Sequence, residues 1–173
     1  MSGKKLICLL AVLSLLWAAG GCSGGGDAGE YVLYFSAGRN TVSGPALVSE
    51  PYPQEEGEAA PGPGELLEAL LAGPAEEGHR SPFPRGVALV SWSWDEEQPG
   101  NLRARLSEQY GGLTDISLTL ADYAIVLTLS QLEGVETVEI LSEGHTANYR
   151  SHQILSEEEA ELPGSGAEGA DAT

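Results

Sequence analysis

The side chains that most often bind metals are few in this sequence, and their spacing does not favour a site. The 173 residues include three histidines, His79, His145 and His152, and none has a metal-ligating residue three or four positions further along the chain. Two ligands that hold one metal ion from a helix need that spacing. The sequence therefore predicts no metal site and no cofactor, and we expect all three histidines to be solvated surface side chains.

Carboxylates are abundant, but they occur where acid–base catalysis is hard to support. Asp and Glu number 26 against 8 Lys and Arg, and adjacent carboxylates recur at 55–56, 76–77, 95–97 and 157–159. A general acid or base needs a carboxylate that is desolvated in a cleft, whereas these segments have the composition of turns and a tail. Calcium binding stays an alternative role for such clusters, although the loop spacing of an EF-hand is absent from the sequence.

Other catalytic signatures are also missing from the sequence. Neither a Gly-x-Ser-x-Gly elbow between a predicted strand and a predicted helix nor a glycine-rich loop followed by Lys-Ser or Lys-Thr occurs, so the sequence predicts a protein that is not an enzyme. The formal net charge of -18 would repel a phosphate backbone, which excludes nucleic acid as a partner.

Cys22 is the residue whose context predicts a defined chemical modification. Two lysines precede an apolar run from Leu6 to Ala19, which is too short to span a ~30 Å hydrocarbon core comfortably. The small residues 19–21 then lead directly to Cys22. This order resembles the lipobox of bacterial lipoproteins, with Ala19 at the position where the usual pattern has Leu.

The lipobox resemblance implies that residues 1–21 are a removed signal peptide and that Cys22 is acylated as the first mature residue. Residues 22–30 would be a Gly/Ser-rich tether, and the acyl chains (palmitate among them) would hold the protein in the cell membrane, on its extracytoplasmic face. An ordinary secretory signal cleaved near Ala19, or an uncleaved anchor, would leave Cys22 as a free thiol. The other cysteine, Cys8, lies inside the signal, so we expect no disulfide.

Residues 31–74 have the patterns of two strands followed by one helix. An aromatic, β-branched run at 31–36 predicts an opening strand, and 46–48 could form a second one. Residues 54–64 are acidic and rich in breakers, which indicates a loop. Leucines at helical spacing predict a helix over 63–72 that ends at Gly73-Pro74.

The sequence next predicts an antiparallel hairpin with strands at 87–94 and 101–107. Alternation places Trp92 and Trp94 on one face of the first strand, and we expect both to be core residues. If they are exposed instead, they could form a ligand platform. In the second strand, Arg103 and Arg105 would point to solvent and could pair with surplus carboxylates.

The second helix is predicted over 120–132, beginning at a capping box formed by Thr119 and Asp122. Leu127 would then face the sheet, together with the apolar residues one and two turns before it. Gln131 would face outward, and we expect its replacement by alanine to change stability little.

A last strand at 135–141 completes the order β-α-β-β-α-β. This order predicts an α/β (α+β) two-layer sandwich, with two helices packed on one sheet and disordered segments on either side. Residues 153–155 could add an edge strand, so the folded domain would span 31–155, with its core ending near 144. The acidic residues 156–173 predict a disordered tail that contributes little stability.

Three segments in this order resemble the GerMN domain, a family named for a spore germination and sporulation protein of endospore-forming bacteria. They are the helix and Leu-Leu-x-Gly-Pro turn at 65–74, the Pro-x-Gly approach at 83–87, and the end of the second helix with the following strand at 124–138 (AIVLTLSQLEGVETV). The resemblance covers residues 31–144. It departs from the family between 36 and 62, where this chain is short and acidic.

The resemblance implies a non-catalytic protein-interaction module of the cell envelope, with a role in sporulation, germination or envelope assembly. Its partners would be the lipid bilayer, through acylated Cys22, and another extracytoplasmic protein that pairs with a sheet edge. The alternative is an envelope lipoprotein that binds a small molecule or a lipid beneath Trp92 and Trp94. An enzyme that acts on peptidoglycan is a third and weaker reading, because the Cys, His and Ser constellations are missing.

Overall fold

The computed structural model describes residues 31–38, 45–54, 57–143 and 153–161. The predicted signal peptide and tether at 1–30, with Cys22, lie outside the described residues. So do His145, His152 and the end of the tail at 162–173.

The described residues form six strands, three α-helices and one 3-10 turn. The strands are β1 (Val32–Ser36), β2 (Leu47–Pro51), β3 (Leu89–Trp94), β4 (Asn101–Leu106), β5 (Thr137–Ser142) and β6 (Gln153–Leu155). The helices are α1 (Pro63–Ala72), α2 (Asp115–Leu129) and α3 (Glu157–Ala160), and the 3-10 turn is Glu108–Gly112. The prediction of a mixed α/β fold is confirmed.

The larger sheet has four strands in the order β3-β4-β5-β6. The predicted hairpin is confirmed, because β3 and β4 pair antiparallel, with Trp92 opposite Ala104 and Trp94 opposite Leu102. β4 and β5 are parallel, and α2 lies in the crossover that a parallel connection requires. β6 pairs antiparallel with β5, as the edge-strand prediction proposed.

One face of this sheet carries the core. The side chains of β4 and β5 that alternate toward α1 and α2 are fully or almost fully buried; they are Leu102, Ala104, Leu106, Val138 and Ile140. Leucines of α1 that share one face are also 0% exposed, namely Leu66, Leu67 and Leu70. The two helices therefore cover the sheet on one side, as the sequence predicts.

The opening strand does not join that sheet. β1 pairs antiparallel with β2 in a separate two-stranded sheet, with Val32 opposite Pro51 and Ser36 opposite Leu47. This pairing also settles the uncertain segment at 46–48: residues 47 and 48 belong to β2, and Ala46 directly precedes it. The other edge of β1 faces the end of α2, and side chains of α2 and of the residues just after it hydrogen-bond to the backbone groups of Val32 and Tyr34 that a further strand would need.

Gln131 makes two hydrogen bonds to the backbone along that edge, so the prediction that it faces outward is wrong. Its Oε1 accepts from the Val32 N–H (2.9 Å), and its Nε2 donates to the Val32 carbonyl (2.8 Å). Nε2 also donates to the carbonyls of Leu127 and Thr128, both at 3.1 Å. The prediction failed because α2 ends at Leu129, so Gln131 no longer follows the helical phase.

We expect Gln131→Ala to lower the free energy of unfolding by about 2 kcal/mol, because it removes two bonds to the β1 backbone in a partly buried site. Gln109→Ala, at an exposed position of the 3-10 turn, is the matched control and should change stability by less than about 0.5 kcal/mol. Denaturant melts measure both. Equal effects of the two substitutions would show that Gln131 does not hold β1 in place.

The start of α2 also differs from the prediction. The helix begins at Asp115 after the N-cap Thr114, and Thr119 lies inside it, donating from Oγ1 to the Asp115 carbonyl (3.3 Å). Asp122 is not a capping residue, because it is 3% exposed and accepts a hydrogen bond from the hydroxyl of buried Tyr110. A local capping pattern cannot reveal that partner, which lies in the preceding 3-10 turn.

The beginning of the acidic tail is folded, so the prediction of disorder from Ser156 is wrong for residues 156–161. Ser156 Oγ accepts from the Glu159 N–H, and the Glu159 carboxylate accepts from the Ser156 N–H (2.9 Å), which forms a capping box for α3. Ala160 is 0% exposed and belongs to the core, and α3 packs against α2. The capping signal was present in the sequence, but the acidic composition obscured it.

A chain that ends at Ser156 should therefore be less stable than the prediction of an inert tail implies. Loss of α3 removes the burial of Ala160 and uncovers part of α2, so we expect a loss of about 1–2 kcal/mol and a midpoint lower by several degrees. A chain that ends at Glu161 retains α3 and is the control. If the two truncated chains melt at the same temperature, α3 does not contribute to the folded domain.

Candidate interaction surface

β3 is an outer strand of the four-stranded sheet, and its side chains are unusually open. Trp92, Trp94 and Val90 are 41%, 43% and 45% exposed, and the serines between them are exposed as well. The expectation that the tryptophans are core residues is therefore wrong. They do lie on the face that carries Leu102 and Ala104, but the edge position leaves them only partly covered by the helices.

The backbone of β3 directs hydrogen-bonding groups away from the sheet at both tryptophans. The Asp95 N–H donates to the Asn101 carbonyl (3.0 Å), so Asp95 faces β4. In an antiparallel pair, successive residues alternate between facing the neighbouring strand and facing away. The N–H and C=O groups of Trp92 and Trp94 therefore point outward. We call these groups, together with the two indoles, the β3 edge.

The indole of Trp92 is placed by a close approach to α1. A Cβ atom at Gly64 would lie 2.8 Å from Trp92 Nε1, so the indole rests on the backbone of the first turn of the helix. Glu68 lies one turn further along α1, on the same side as Gly64, and is exposed. An anionic side chain therefore lies beside the aromatic patch.

An ion-pair network holds the end of the hairpin next to the β3 edge. The guanidinium of Arg103 contacts Asp95 (2.6 Å from Nη2 to Oδ2) and also donates from Nε to Glu139 on β5. The Glu97 N–H also donates to Asp95 (2.8 Å). This bond, together with Asn101 and Arg103, holds the pKa of Asp95 below its usual value, although burial alone would raise that pKa. The prediction that Arg103 pairs with a surplus carboxylate is confirmed, and the network fixes the strand that carries both tryptophans.

Among the described residues, the other strand edges are short or closed. The outer edge of β1 is occupied by Gln131, by Thr128 Oγ1, which accepts from the Tyr34 N–H (3.3 Å), and by Arg80, which exchanges two 2.9 Å backbone bonds with Ser36. β6 has three residues, and β2 ends in a proline. β3, with six residues and no proline, is thus the longest of the described strands at the edge of a sheet that is left for another chain.

His79 is not a solvated surface side chain, which corrects the prediction for it. Its Nδ1 lies 2.7 Å from Oε1 of Glu50. Glu50 is only 3% exposed, and its carboxylate also accepts hydrogen bonds from the N–H groups of Ala75 (2.8 Å) and Glu76 (3.2 Å). Burial alone would raise the pKa of Glu50, but these hydrogen bonds and His79 lower it overall. This pair anchors the turn after α1 to β2, and its stabilisation is lost as the pH falls below the usual range of a glutamate.

A groove of about 340 Å³ lies elsewhere, between the end of β2 and the start of α1, and is lined by Tyr52, Gln54, Glu58, Ala59, Ala60, Pro61 and Glu65. Neither tryptophan lines this groove, so it is not the pocket beneath Trp92 and Trp94 that the alternative ligand-binding function requires.

The described residues hold neither a cluster of metal-ligating side chains nor a helix that could span a membrane. Across 31–38, 45–54, 57–143 and 153–161, three or more His, Cys, Asp or Glu residues nowhere converge as a metal site would require. In the same ranges, every helix is too short or too polar to cross a bilayer.

The fold and surface together define a small α/β module with a long open sheet edge. The sequence model of the Germane family, described as "Sporulation and spore germination", matches residues 32–148, so the chain belongs to that family. The resemblance to the GerMN domain is thereby confirmed. A comparison with curated proteins gives no significant match.

Solved structures with a similar chain path share few residues with this protein. The tandem GerMN domains of the sporulation protein GerM from Bacillus subtilis are 19% identical, with a TM-score of 0.49 over 73% of this chain and 43% of that one. The first GerMN domain of the same protein is 18% identical, with a TM-score of 0.49 over 66% of this chain and 83% of that one. A "Putative Lipoprotein from Clostridium perfringens" is 18% identical, with a TM-score of 0.43 over 73% and 86%. The chain thus spans less than half of the tandem-domain protein.

Proposed function

We propose that this protein is a lipoprotein of the bacterial cell envelope whose folded domain is a non-catalytic docking module for another extracytoplasmic protein. The β3 edge is the observation that carries the docking role. Two tryptophans are more than 40% exposed on a long strand whose backbone points outward, while β1 is closed by side chains of its own chain. Exposed apolar groups on an open edge are a liability unless a partner covers them.

The family supplies the biological setting of the proposal. The match to a family described by sporulation and spore germination supports a role in one of these processes or in the assembly of the envelope. The order of basic, apolar and small residues before Cys22 supports attachment to the cell membrane, with the domain on the extracytoplasmic face.

Cys22→Ser tests the attachment. The variant cannot form a thioether, so we expect it to lose acyl labelling completely and to appear in the medium or as an uncleaved precursor. Membrane fractionation after growth with a labelled fatty acid measures both effects. A correctly processed, unlabelled Cys22→Ser chain that stays in the membrane fraction would contradict the lipoprotein assignment.

Photo-crosslinking in intact cells tests the docking role separately. A photoreactive residue at Ser91 lies on β3 but leaves both tryptophans in place, and we expect it to crosslink to a second protein. The same residue at Ser117, exposed near the start of α2, is the control and should give no such product. Equal crosslinking at the two positions would show that β3 is not the docking surface.

A further inference from the structure

We infer that the occupant of the β3 edge is an extended, lysine- or arginine-rich segment of its partner, which pairs with β3 as an added strand. This inference rests on the proposed docking function and specifies the chemistry of the partner. Four observations carry it: the direction of the β3 backbone, the exposed indoles, the acidic side chains that flank them, and the charge of the whole chain.

The backbone determines that the occupant is extended. The outward N–H and C=O groups of Trp92 and Trp94 are spaced as in any strand, so the partner that satisfies them most completely is another strand. β3 has six residues and lacks a proline or a lysine, which would block such pairing. The bulge in its pairing with β4 lies between Leu89 and Ser91, at the other end from the tryptophans.

The side chains around the indoles determine the charge of the occupant. Glu68 lies on the side of α1 that meets Trp92, and Glu96 and Glu97 follow β3 directly; all three are exposed. A Lys or Arg that projects from an added strand on this face would meet the indole rings, which attract cations, and these carboxylates at the same time. On the opposite face the strand would meet Ser91 and Ser93, which pair with Arg105 and Arg103 of β4, so the cationic side chains of the added strand belong on the tryptophan face.

The charge of the chain disfavours the simplest alternative, a second copy of this protein. With 26 acidic and 8 basic residues, two copies would bring like charges together at the β3 edge. A basic partner would gain from the same field, which speeds association and makes it sensitive to salt.

The experiment uses the full-length chain in detergent and three fluorescein-labelled synthetic peptides, each long enough to pair with the whole of β3. One peptide alternates Lys and Val, the second alternates Glu and Val, and the third is the Lys/Val peptide with N-methyl groups on alternate residues, so that it cannot pair along β3. Fluorescence anisotropy should show binding of the Lys/Val peptide, with affinity at least about tenfold lower for each of the other two. Added salt should weaken the binding.

Matched variants locate the binding. Trp94→Ala and Glu68→Gln should each weaken binding of the Lys/Val peptide, by about tenfold and about threefold. Glu68→Gln should also reduce the dependence on salt. Ile116→Ala and Glu133→Gln remove an exposed apolar group and an exposed charge elsewhere, and should leave binding unchanged. The inference would be overturned if the Glu/Val peptide or the N-methylated peptide bound as tightly as the Lys/Val peptide. It would also be overturned if the Lys/Val peptide did not bind.

The crosslink at Ser91 separates this inference from the proposed function. Mass spectrometry of the crosslinked product identifies the segment of the partner that touches β3. A Lys- or Arg-rich segment supports the inference. A neutral or acidic segment, or a second copy of this chain, overturns it while docking through β3 still stands. Absence of any β3-specific product overturns both.

Discussion

Replacing Ile125 by alanine should lower the free energy of unfolding by about 3–4 kcal/mol. Ile125 is 0% exposed in the middle of α2, the helix that contacts β1, β5, α1 and α3. Its truncation removes apolar contacts and leaves a cavity that four surrounding elements cannot all relax to fill. A domain of this size holds only about 5–15 kcal/mol in total, so a large part of its stability depends on this side chain.

Ile116→Ala is the matched control, because it is the same substitution in the same helix. Ile116 is 67% exposed in the first turn of α2, and its truncation should cost less than about 0.5 kcal/mol. Urea melts of the two variants and the original chain measure the difference. If Ile116→Ala is as destabilising as Ile125→Ala, the helix is rotated relative to the core described above.

Replacing Asp122 by asparagine should change how stability depends on pH, by about 2 kcal/mol between pH 4 and pH 7. Burial raises the pKa of Asp122 to about 6 from its usual 3.8, although the hydrogen bond from Tyr110 opposes that rise. The native state therefore binds its proton more tightly than the unfolded chain does. Stability from this group is complete below about pH 4 and is lost as the pH rises through about 6.

Asparagine is neutral and keeps an oxygen that can accept from the Tyr110 hydroxyl, so Asp122→Asn should escape that loss. Relative to the original chain, the variant should become progressively more stable as the pH rises from 4 to 7. Glu133→Gln, at an exposed position after α2, is the control and should show no such trend. If the original chain and Asp122→Asn have parallel stability profiles over this range, Asp122 is not held in a desolvated site.

Local sequence patterns were sufficient where an element is both amphipathic and bounded by strong signals. The bounds of α1 were predicted as Pro63–Ala72, because a proline at the first turn and Gly73-Pro74 at the end frame four leucines. The β3–β4 hairpin was predictable for a similar reason, since Leu102, Ala104 and Leu106 alternate with the two arginines.

Tertiary contacts decided the features that the sequence did not predict. Thr119 and Asp122 have the spacing of a capping box. However, Leu118, which precedes both, is buried in the core, and the helix that places it there begins earlier, at Asp115. Gln131 is polar and lies just after the helix, where local rules predict solvent. Its actual partner, the Val32 backbone, is 99 residues away in the chain.

The burial of the tryptophans could not be predicted from alternation alone. Alternation places Trp92 and Trp94 on the helix-covered face, which is where they lie. Their exposure depends on the position of β3 at the end of the sheet, which follows from strand order. The serines at 91 and 93 do not distinguish the two cases, because polar residues on one face and large apolar residues on the other are typical of any antiparallel strand with one solvated face.

Hydrogen–deuterium exchange of β3 tests the central claim, that a partner occupies the β3 edge in the cell, most directly. Exchange should be measured by mass spectrometry on the full chain in isolated membranes and again after purification in detergent. We expect the peptide that contains β3 to exchange more slowly in membranes, because an added strand protects the outward amides of Trp92 and Trp94. The peptide that contains β1 should exchange equally in both, because Gln131 and Thr128 close that edge within the chain. Equal exchange of β3 in membranes and in detergent would contradict the claim.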